Sequence, residues 1–413
     1  MTNVAPTTSE FRSRAAAASP IEVRPVRGLR ELRKFIDLPY RLHRGAPWVP
    51  PLKLERYLFL SRRLNPYFSH GEAEYFLARR GGRVVGRITA QVDHAFNEFH
   101  QSRWGNFGFL EFEDDQEVVD ALLAAVEQWL RARGCERMVG PMDFQLNDES
   151  GVLFEGFEHA PLIRQPWHPP YYRQRMEAAG LTKAKDLYSY WLDVADRGNV
   201  LPILPKIAER ARSKYGITIR KMSRLHLRRE MDEFAKVYNA AWSHNWGFVP
   251  YSEKDLDELA HTYQLVYSRD WFMVAELDGE TVGAAISIPD INQVLKKMNG
   301  RLLPFGWWHY LNKGRIMDGV RVGFLGVMPE HQHTGAAALL YMEHYDMAEK
   351  TRQKWGEPGW ILEDNSSMNR GLEAMGAKVV KRYRVYERML EAPGDLEPGR
   401  MLEAPGDTEP IQP

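Results

Sequence analysis

Cysteine is nearly absent from this chain of 413 residues, which carries only Cys135. One cysteine excludes an internal disulfide framework and a cysteine-rich metal site, and it fits a reducing compartment. Neither sign of charge is in excess, because 55 lysines and arginines balance 55 aspartates and glutamates. That balance argues against a general nucleic-acid binder. We therefore expect neither a metal nor a nucleic acid among the ligands.

Long hydrophobic runs are also missing, since no segment approaches the roughly 20 apolar residues that span a bilayer. The N-terminus shows no charged-then-apolar signal pattern, because the run from Ala15 to Ala18 is too short for a signal core. The sequence predicts a cytoplasmic protein and leaves peripheral contact with the inner face of the membrane open. Its 44% hydrophobic residues suffice for the cores of two ordinary domains.

The middle of the chain repeats itself at the scale of a domain. Met176–Gly180 and Tyr190 recur, at the same spacing, as Leu372–Gly376 and Tyr386. Each half reads strand, helices, hairpin, central strand, helix, strand, helix, strand. This order predicts the α/β class, with a mixed sheet flanked by helices on both faces. Chance matching between two α/β domains is the alternative.

The repeat divides the chain into four segments. We expect a disordered leader at residues 1–20 and a first domain at residues 21–195. A second domain follows at residues 196–388, and a disordered tail at residues 389–413. The tail contains a literal repeat, because Arg388–Asp395 returns 12 residues later as Arg400–Asp407. Proline, glycine and acidic residues dominate it, which is typical of a solvated segment.

A candidate anion-binding loop lies in the second half. A strand stops at Pro329, a short loop follows, and a helix then opens on a glycine and two alanines. Small side chains expose the backbone there, and the free N–H groups and dipole of a helix start favour a pyrophosphate. The candidate binding residues are Gln332, His333, Thr334, Gly335, Ala336 and Ala337.

The first half has no such loop at the matching place. Its strand is followed by acids instead of a glycine, from Glu111 to Asp115. A pyrophosphate would meet like charge at close range there. We therefore expect the first half to act as a scaffold and a substrate wall. A solvated helix start is a sufficient alternative explanation of these acids.

The spacing Gln332-x-x-Gly335-x-Ala337 resembles the acyl-CoA pyrophosphate loop of the GNAT acyltransferase superfamily. The element order of each half is also that of the GNAT fold, so the resemblance implies two tandem GNAT folds. It implies a coenzyme A thioester as co-substrate and an amine as acceptor. It further implies that the backbone of Leu325, Gly326 and Val327 holds the pantetheine arm, with one N–H stabilising the oxyanion.

The helix after the next strand matches the superfamily in part. Asn365 could bond the pantetheine or cap the helix, and Asn369 lies on the same helix face. Many GNAT enzymes carry a tyrosine seven residues after that asparagine, and it often protonates the leaving thiolate. This chain has Leu372 there, which puts the usual general acid in doubt.

The candidates for the general base are Glu363, Asp364 and His244. The two acids end a predicted strand, where ligands of α/β proteins gather, but alternation places them on opposite faces. Capping or surface roles are their alternatives, and a structural histidine is the alternative for His244. In GNAT folds the segment around that histidine lines the acceptor site, so the candidate substrate residues include Trp242, Asn245, Trp246 and Phe248.

An insertion from about Asp290 to Asp318 is present only in the second half. It is dense in large apolar groups, among them Trp307 and Trp308, and lysines and arginines flank it. Such a composition suits a membrane interface or the lid over an apolar substrate, which adds both tryptophans to the candidate substrate residues. A helix packed against the other domain is the alternative.

Longer motifs resemble the bacterial ceramide-synthase-like family, a family of tandem GNAT-type proteins. They are Gly140–Phe144, Asn147–Glu149, Pro169–Tyr172, Asn245–Phe248, Gly326–Pro329 and Trp360–Asn365. The resemblance implies an N-acyltransferase that joins a fatty acyl thioester to a long-chain amine such as a sphingoid base. An N-acetyltransferase for a small amine or amino acid and a non-catalytic acyl-CoA-binding or interaction protein are the alternatives.

Overall fold

The computed structural model describes residues 19–390. Almost all of the predicted leader and of the predicted tail, and most of the tail's repeat, lie outside those residues. In the first half the strands β1 to β7 are Ile21–Pro25, Gly71–Arg80, Arg83–Asp93, Trp104–Phe112, Arg137–Gly140, Val152–Glu155 and Thr182–Asp193. Its helices α1 to α5 are Gly28–Leu42, Lys53–Phe59, His94–His100, Gln116–Arg131 and Tyr171–Ala178.

The second half repeats this order and has three more helices, one before its first strand and two in the segment between its hairpin and its central strand. Its strands β8 to β14 are Thr218–Lys221, Phe272–Leu277, Glu280–Pro289, Gly319–Val327, Trp355–Pro358, Ile361–Leu362 and Lys378–Met389. Its helices α6 to α13 are Ile203–Tyr215, Leu227–Trp242, Glu253–Val266, Asn292–Met298, Gly306–Leu311, Lys313–Ile316, Ala336–Lys350 and Ser366–Ala374. Among residues 19–390, no helix is both long and apolar enough to cross a bilayer.

The two halves share one sheet by exchanging their last strands. The strand order is β1-β2-β3-β4-β5-β14-β7-β12-β11-β10-β9-β8, with β6 beside β14 and β13 beside β7. Strand β14 therefore lies against β5 of the first half, and β7 lies against β12 of the second. We propose that the boundary between the two predicted domains lies in the segment that links β7 to α6.

Helices cover both faces of the sheet, because each central strand is apolar on both sides. In the second half α6 and α12 pack on one face and α7 and α8 on the other. In the first half α4 packs on one face and α1 on the other. The core therefore lies on both faces of the sheet, in separate clusters for the two halves.

A buried ion pair sits where the exchanged strands meet. The Lys381 ammonium of β14 donates to both carboxylate oxygens of Glu357 of β12 at 2.8 Å, and to the Gln165 amide oxygen at 3.1 Å. The two charged side chains are 1% and 4% exposed. Burial lowers the pKa of Lys381, so the charged form depends on the carboxylate beside it.

Replacing Lys381 with methionine should therefore leave a buried carboxylate without its cation. We expect the free energy of unfolding of Lys381→Met to fall by about 3–5 kcal/mol in denaturant titrations. Lys183→Met is the matched control, because Lys183 forms a more exposed pair with Glu363, and such pairs are worth about 1 kcal/mol or less. Equal, small losses in the two variants would show that the buried pair does not stabilise the junction of the exchanged strands.

Candidate active site

A cleft opens where β11 and β12 stop pairing. The two strands are parallel, and their pairing runs from Gly319 to Val322 on β11 and ends at Pro358 on β12. Proline has no backbone N–H to extend the ladder. Beyond this point β11 stays paired with β10 as far as Val327, so its other edge faces a cavity of about 540 Å³.

The cavity brings together most of the residues that the sequence predicts to bind the cofactor or the acceptor. The predicted residues that line it are Trp242, Asn245, Trp246, Phe248, Leu325, Gly326, Val327, Gln332, Ala337 and Asn365. The first half contributes Leu146 and Asn147 to the same wall. The exchanged strand β7 adds Leu187 and Leu192, and Val194 follows directly after it, so the interior is largely apolar.

Glycine is needed at position 326 because an indole lies directly on the strand. A Cβ atom at Gly326 would come within 2.3 Å of the Trp242 ring. That ring stacks on Tyr238, with a centroid distance of 5.3 Å. The α7 helix thus provides an aromatic wall over the face of β11, beside its open edge.

The predicted anion loop forms a short 3-10 helix, from Pro329 to Thr334, followed by Gly335 at the N-cap of α12. Gly335 has a φ of 88°, and a Cβ there would lie 2.7 Å from Ile207 of α6. A glycine is therefore needed here both for the turn and for the close packing of α6 against it. Gly335 supplies no side-chain cap. The Ala336 N–H donates to the Thr334 hydroxyl at 3.3 Å, and the other N–H groups of the first turn of α12 can donate to an anion.

The other loop residues lie around this helix start and do not line the cavity. Thr334 and Ala336 are buried, and the Thr334 hydroxyl donates to the His331 carbonyl at 2.6 Å. His333 is exposed, and its ring meets Tyr215 of α6 edge to face. Sequence reasoning missed α6, which adds positive charge here because Arg210 and Lys214 flank that tyrosine.

Both predicted asparagines take part in local structure. Asn365 borders the cavity, and its side-chain oxygen accepts from the Met368 N–H at 3.1 Å. The cap that the sequence offered as an alternative is thus present. Asn369 lies outside the cavity lining, where it accepts from the Tyr190 hydroxyl at 2.9 Å and donates to the Glu363 carbonyl at 3.2 Å.

The three predicted bases lie outside the cavity lining. Glu363 accepts from Lys183 at 2.6 Å, and Asp364 accepts from Lys185 at 2.7 Å. His244 is exposed, with its Nδ1 atom 3.0 Å from the neighbouring Ser243 hydroxyl. Among the described residues that line the cavity, none is an aspartate or a glutamate. The assignment of a base to one of these three residues stays a prediction.

Sequence reasoning missed two titratable residues of α12 that do line the cavity, Tyr341 and His344. Burial lowers the pKa of His344 to about 4, and its ring nitrogens lie 2.7 Å from the Leu340 carbonyl and 2.9 Å from the Ser287 hydroxyl. His344 is therefore neutral, and both of its ring nitrogens have a hydrogen-bond partner. Burial raises the pKa of Tyr341 to about 12, so its phenol keeps its proton.

The Tyr341 hydroxyl reaches α13, the helix on which the superfamily carries its tyrosine. It lies 3.4 Å from the Met368 sulfur, and a Cβ atom at Gly371 would come within 2.9 Å of it. Gly371 is the neighbour of Leu372. The helical spacing could have revealed this phenol, because Tyr341 follows Ala337 by one turn on the same face.

The predicted insertion divides into a packed part and an exposed part. Helix α9 packs against the first half, and its Asn292 side chain donates to the Pro161 carbonyl at 2.8 Å. Trp307 and Trp308 of α10 are exposed and do not line the cavity. A second cavity, of about 360 Å³, lies behind the loop after α7 and shares Trp246 and Gly247 with the first.

Solved structures identify the fold of this chain. A tandem GNAT protein from the clavulanic acid biosynthesis pathway superposes with a TM-score of 0.56 at 14% identity, over 91% of this chain and 100% of that one. A GCN5-related glucosamine N-acetyltransferase region gives 0.55 at 14% identity, over 90% and 38%. No protein-family model matches the chain. The fold is a tandem GNAT fold, as predicted.

Curated relatives narrow the class to a family. The bacterial ceramide synthase of Caulobacter vibrioides is 36% identical over 383 residues, which are 90% of this chain and 98% of that protein. Protein YghO of Escherichia coli is 35% identical over 368 residues, or 87% and 93%. The chain belongs to the bacterial ceramide synthase family. The predicted family, and with it the N-acyltransferase class, is confirmed.

A carboxylate at Ala337 should block the anion site. This residue lines the cavity in the first turn of α12, and the matching helix α4 of the first half carries Glu117 at its second position. We expect Ala337→Glu to weaken the binding of coenzyme A on the order of 100-fold in calorimetric titrations, because it opposes the phosphates at close range.

The matched control is Ala124→Glu, which places the same side chain on the exposed face of α4. That variant should bind coenzyme A with unchanged affinity. If Ala337→Glu also binds normally, the pyrophosphate does not lie at the start of α12.

Proposed function

We propose that this protein transfers a long-chain acyl group from coenzyme A to the amino group of a long-chain base such as a sphingoid base. The observation that carries the proposal is the apolar cavity of about 540 Å³ beside the open edge of β11, with a helix N-terminus at one end. The name of the Caulobacter relative, bacterial ceramide synthase, supports the same substrates. Peripheral contact with a membrane fits an acceptor of this kind.

The open cleft assigns a role to each wall. The first turn of α12 would hold the pyrophosphate, and the free edge of β11 from Leu325 to Val327 would pair with the pantetheine arm. One N–H of that edge would polarise the thioester carbonyl. The apolar side chains from β7 and the aromatic wall of α7 would enclose the acyl chain.

The reaction needs one bond to form and one to break. The free amine attacks the thioester carbonyl carbon, the C–S bond breaks, and coenzyme A leaves as a thiolate. The amine loses one proton, and the thiolate gains one. The neutral polar groups of Asn147 and Asn245 on the acceptor side can orient an uncharged amine, and alignment of the reactants supplies much of the rate.

We further propose Tyr341 as the proton donor to the thiolate, in place of the tyrosine missing at Leu372. Its phenol lines the cleft and stays protonated, because burial raises its pKa to about 12. Tyr341→Phe should lower kcat about tenfold and leave the KM for acyl-CoA unchanged.

Tyr345→Phe is the matched control, since it removes a buried phenol of the same helix that donates only to the Met375 carbonyl at 2.8 Å. It should change stability and leave kcat unchanged. Equal kcat values for Tyr341→Phe and the unmodified protein would rule out the proton-donor role.

The proposed substrates are tested by varying the acyl chain. We expect kcat/KM for palmitoyl-CoA with an 18-carbon base to exceed that for acetyl-CoA by at least about 100-fold, because each buried methylene contributes about 0.8 kcal/mol. Product formation is measured by mass spectrometry, with Ala337→Glu as the inactive control. A preference for acetyl-CoA and small amines would favour the N-acetyltransferase alternative, and binding without turnover would favour the non-catalytic one.

A further inference from the structure

An exposed apolar surface on the second half carries an inference that does not depend on the proposed chemistry. It is formed by the end of the insertion, at helix α10 and the turn before it. Six large side chains are between 43% and 73% exposed there, namely Leu302, Leu303, Phe305, Trp307, Trp308 and Leu311. We refer to these six residues as the aromatic platform.

Positively charged residues flank the platform along the chain. Lys296, Lys297 and Arg301 precede it, and Lys313 and Arg315 follow it. The stretch from Asn292 to Ile316 contains no aspartate and no glutamate, although acids and bases are equal in number over the whole chain. The segment that carries the platform is therefore complementary to a negatively charged partner.

The platform is firmly attached at its base. Ile291, Val294, Met298 and Met317 form a small core with Leu52 and Ile163 of the first half. The Lys53 N–H donates to the Gly300 carbonyl at 3.3 Å, and the Lys313 ammonium donates to the Leu265 carbonyl of α8 at 3.1 Å. The insertion is thus held by both halves, while its outer face has apolar side chains in water.

We propose that the aromatic platform docks this protein on an anionic lipid bilayer. Tryptophan, phenylalanine and leucine beside lysine and arginine are typical of interfacial helices, which insert their apolar side chains among lipid headgroups. The basic residues would add attraction to anionic lipids. A protein partner would not require this combination of apolar tips and a purely basic border.

The location of the platform fits access to a lipid. The insertion ends where β11 begins, and the anion loop follows the other end of β11. The strand Gly319–Val327 has nine residues, so the two ends are separated by about 26 Å at about 3.3 Å per residue. A water-soluble acyl-CoA and a bilayer would approach opposite ends of one strand.

Vesicle co-sedimentation tests the proposal. The full chain is mixed with vesicles of phosphatidylcholine alone or with 30% phosphatidylglycerol added. We expect binding to the anionic vesicles, a decrease at high salt, and at least about tenfold weaker binding for Phe305→Ser/Leu311→Ser and for Lys296→Glu/Lys297→Glu. Leu225→Ser is the control, because Leu225 is 91% exposed elsewhere on the second half, and it should bind as the unmodified protein does.

Three outcomes would overturn the proposal. They are no binding to either vesicle, equal binding with and without phosphatidylglycerol, and binding that the platform variants do not change. Loss of self-association in Phe305→Ser/Leu311→Ser without a change in vesicle binding would assign the platform to a second copy of the chain. Turnover of a soluble short-chain amine should be unchanged in these variants. Vesicle binding therefore tests the docking proposal, and turnover of the soluble amine separately tests the proposed acyl transfer.

Discussion

The end of strand pairing between β11 and β12 is the constraint on which the candidate site depends. Pairing stops at Val322 and Pro358, and the edge from Leu325 to Val327 is left without a partner strand on that side. The cavity, the aromatic wall of α7 and the anion-binding start of α12 are all arranged around this edge. An unpaired edge is unfavourable unless something covers it, which is why a pantetheine arm is a suitable guest.

The first half shows the same opening filled by its own chain. Pairing of β4 with β5 also stops early, after Asn106. Beyond it the Phe107 carbonyl accepts from Met142, and the Phe109 N–H donates to Asp143 at 2.6 Å. The acid Glu111 is buried 2.6 Å from His43. Burial alone would raise the pKa of Glu111, but the interactions with His43 and Arg87 lower it to about 2. This half instead contributes a wall to the working cleft.

The fold class, the family and the residues around the open edge could be predicted from sequence, because the glycines, the helix start and the aromatic segment at Trp242–Phe248 are local patterns. The strand exchange could not, because β7 and β14 are equivalent in the repeat and no local pattern names their neighbours. The ion pairs of Glu363 and Asp364 could not be predicted for the same reason, because their lysine partners lie on β7, far away in sequence. Tyr341 was missed because the superfamily places its phenol on another helix.

Hydrogen exchange of backbone amides, with and without coenzyme A, tests the central claim most directly. The account predicts that the ligand protects the amides of Leu325–Val327 and of the first turn of α12, and that it leaves Leu110–Phe112 and the start of α4 unchanged. Binding should saturate at one coenzyme A per chain. Protection in the first half, or two bound molecules per chain, would contradict the claim that only the second half keeps an open edge for the cofactor.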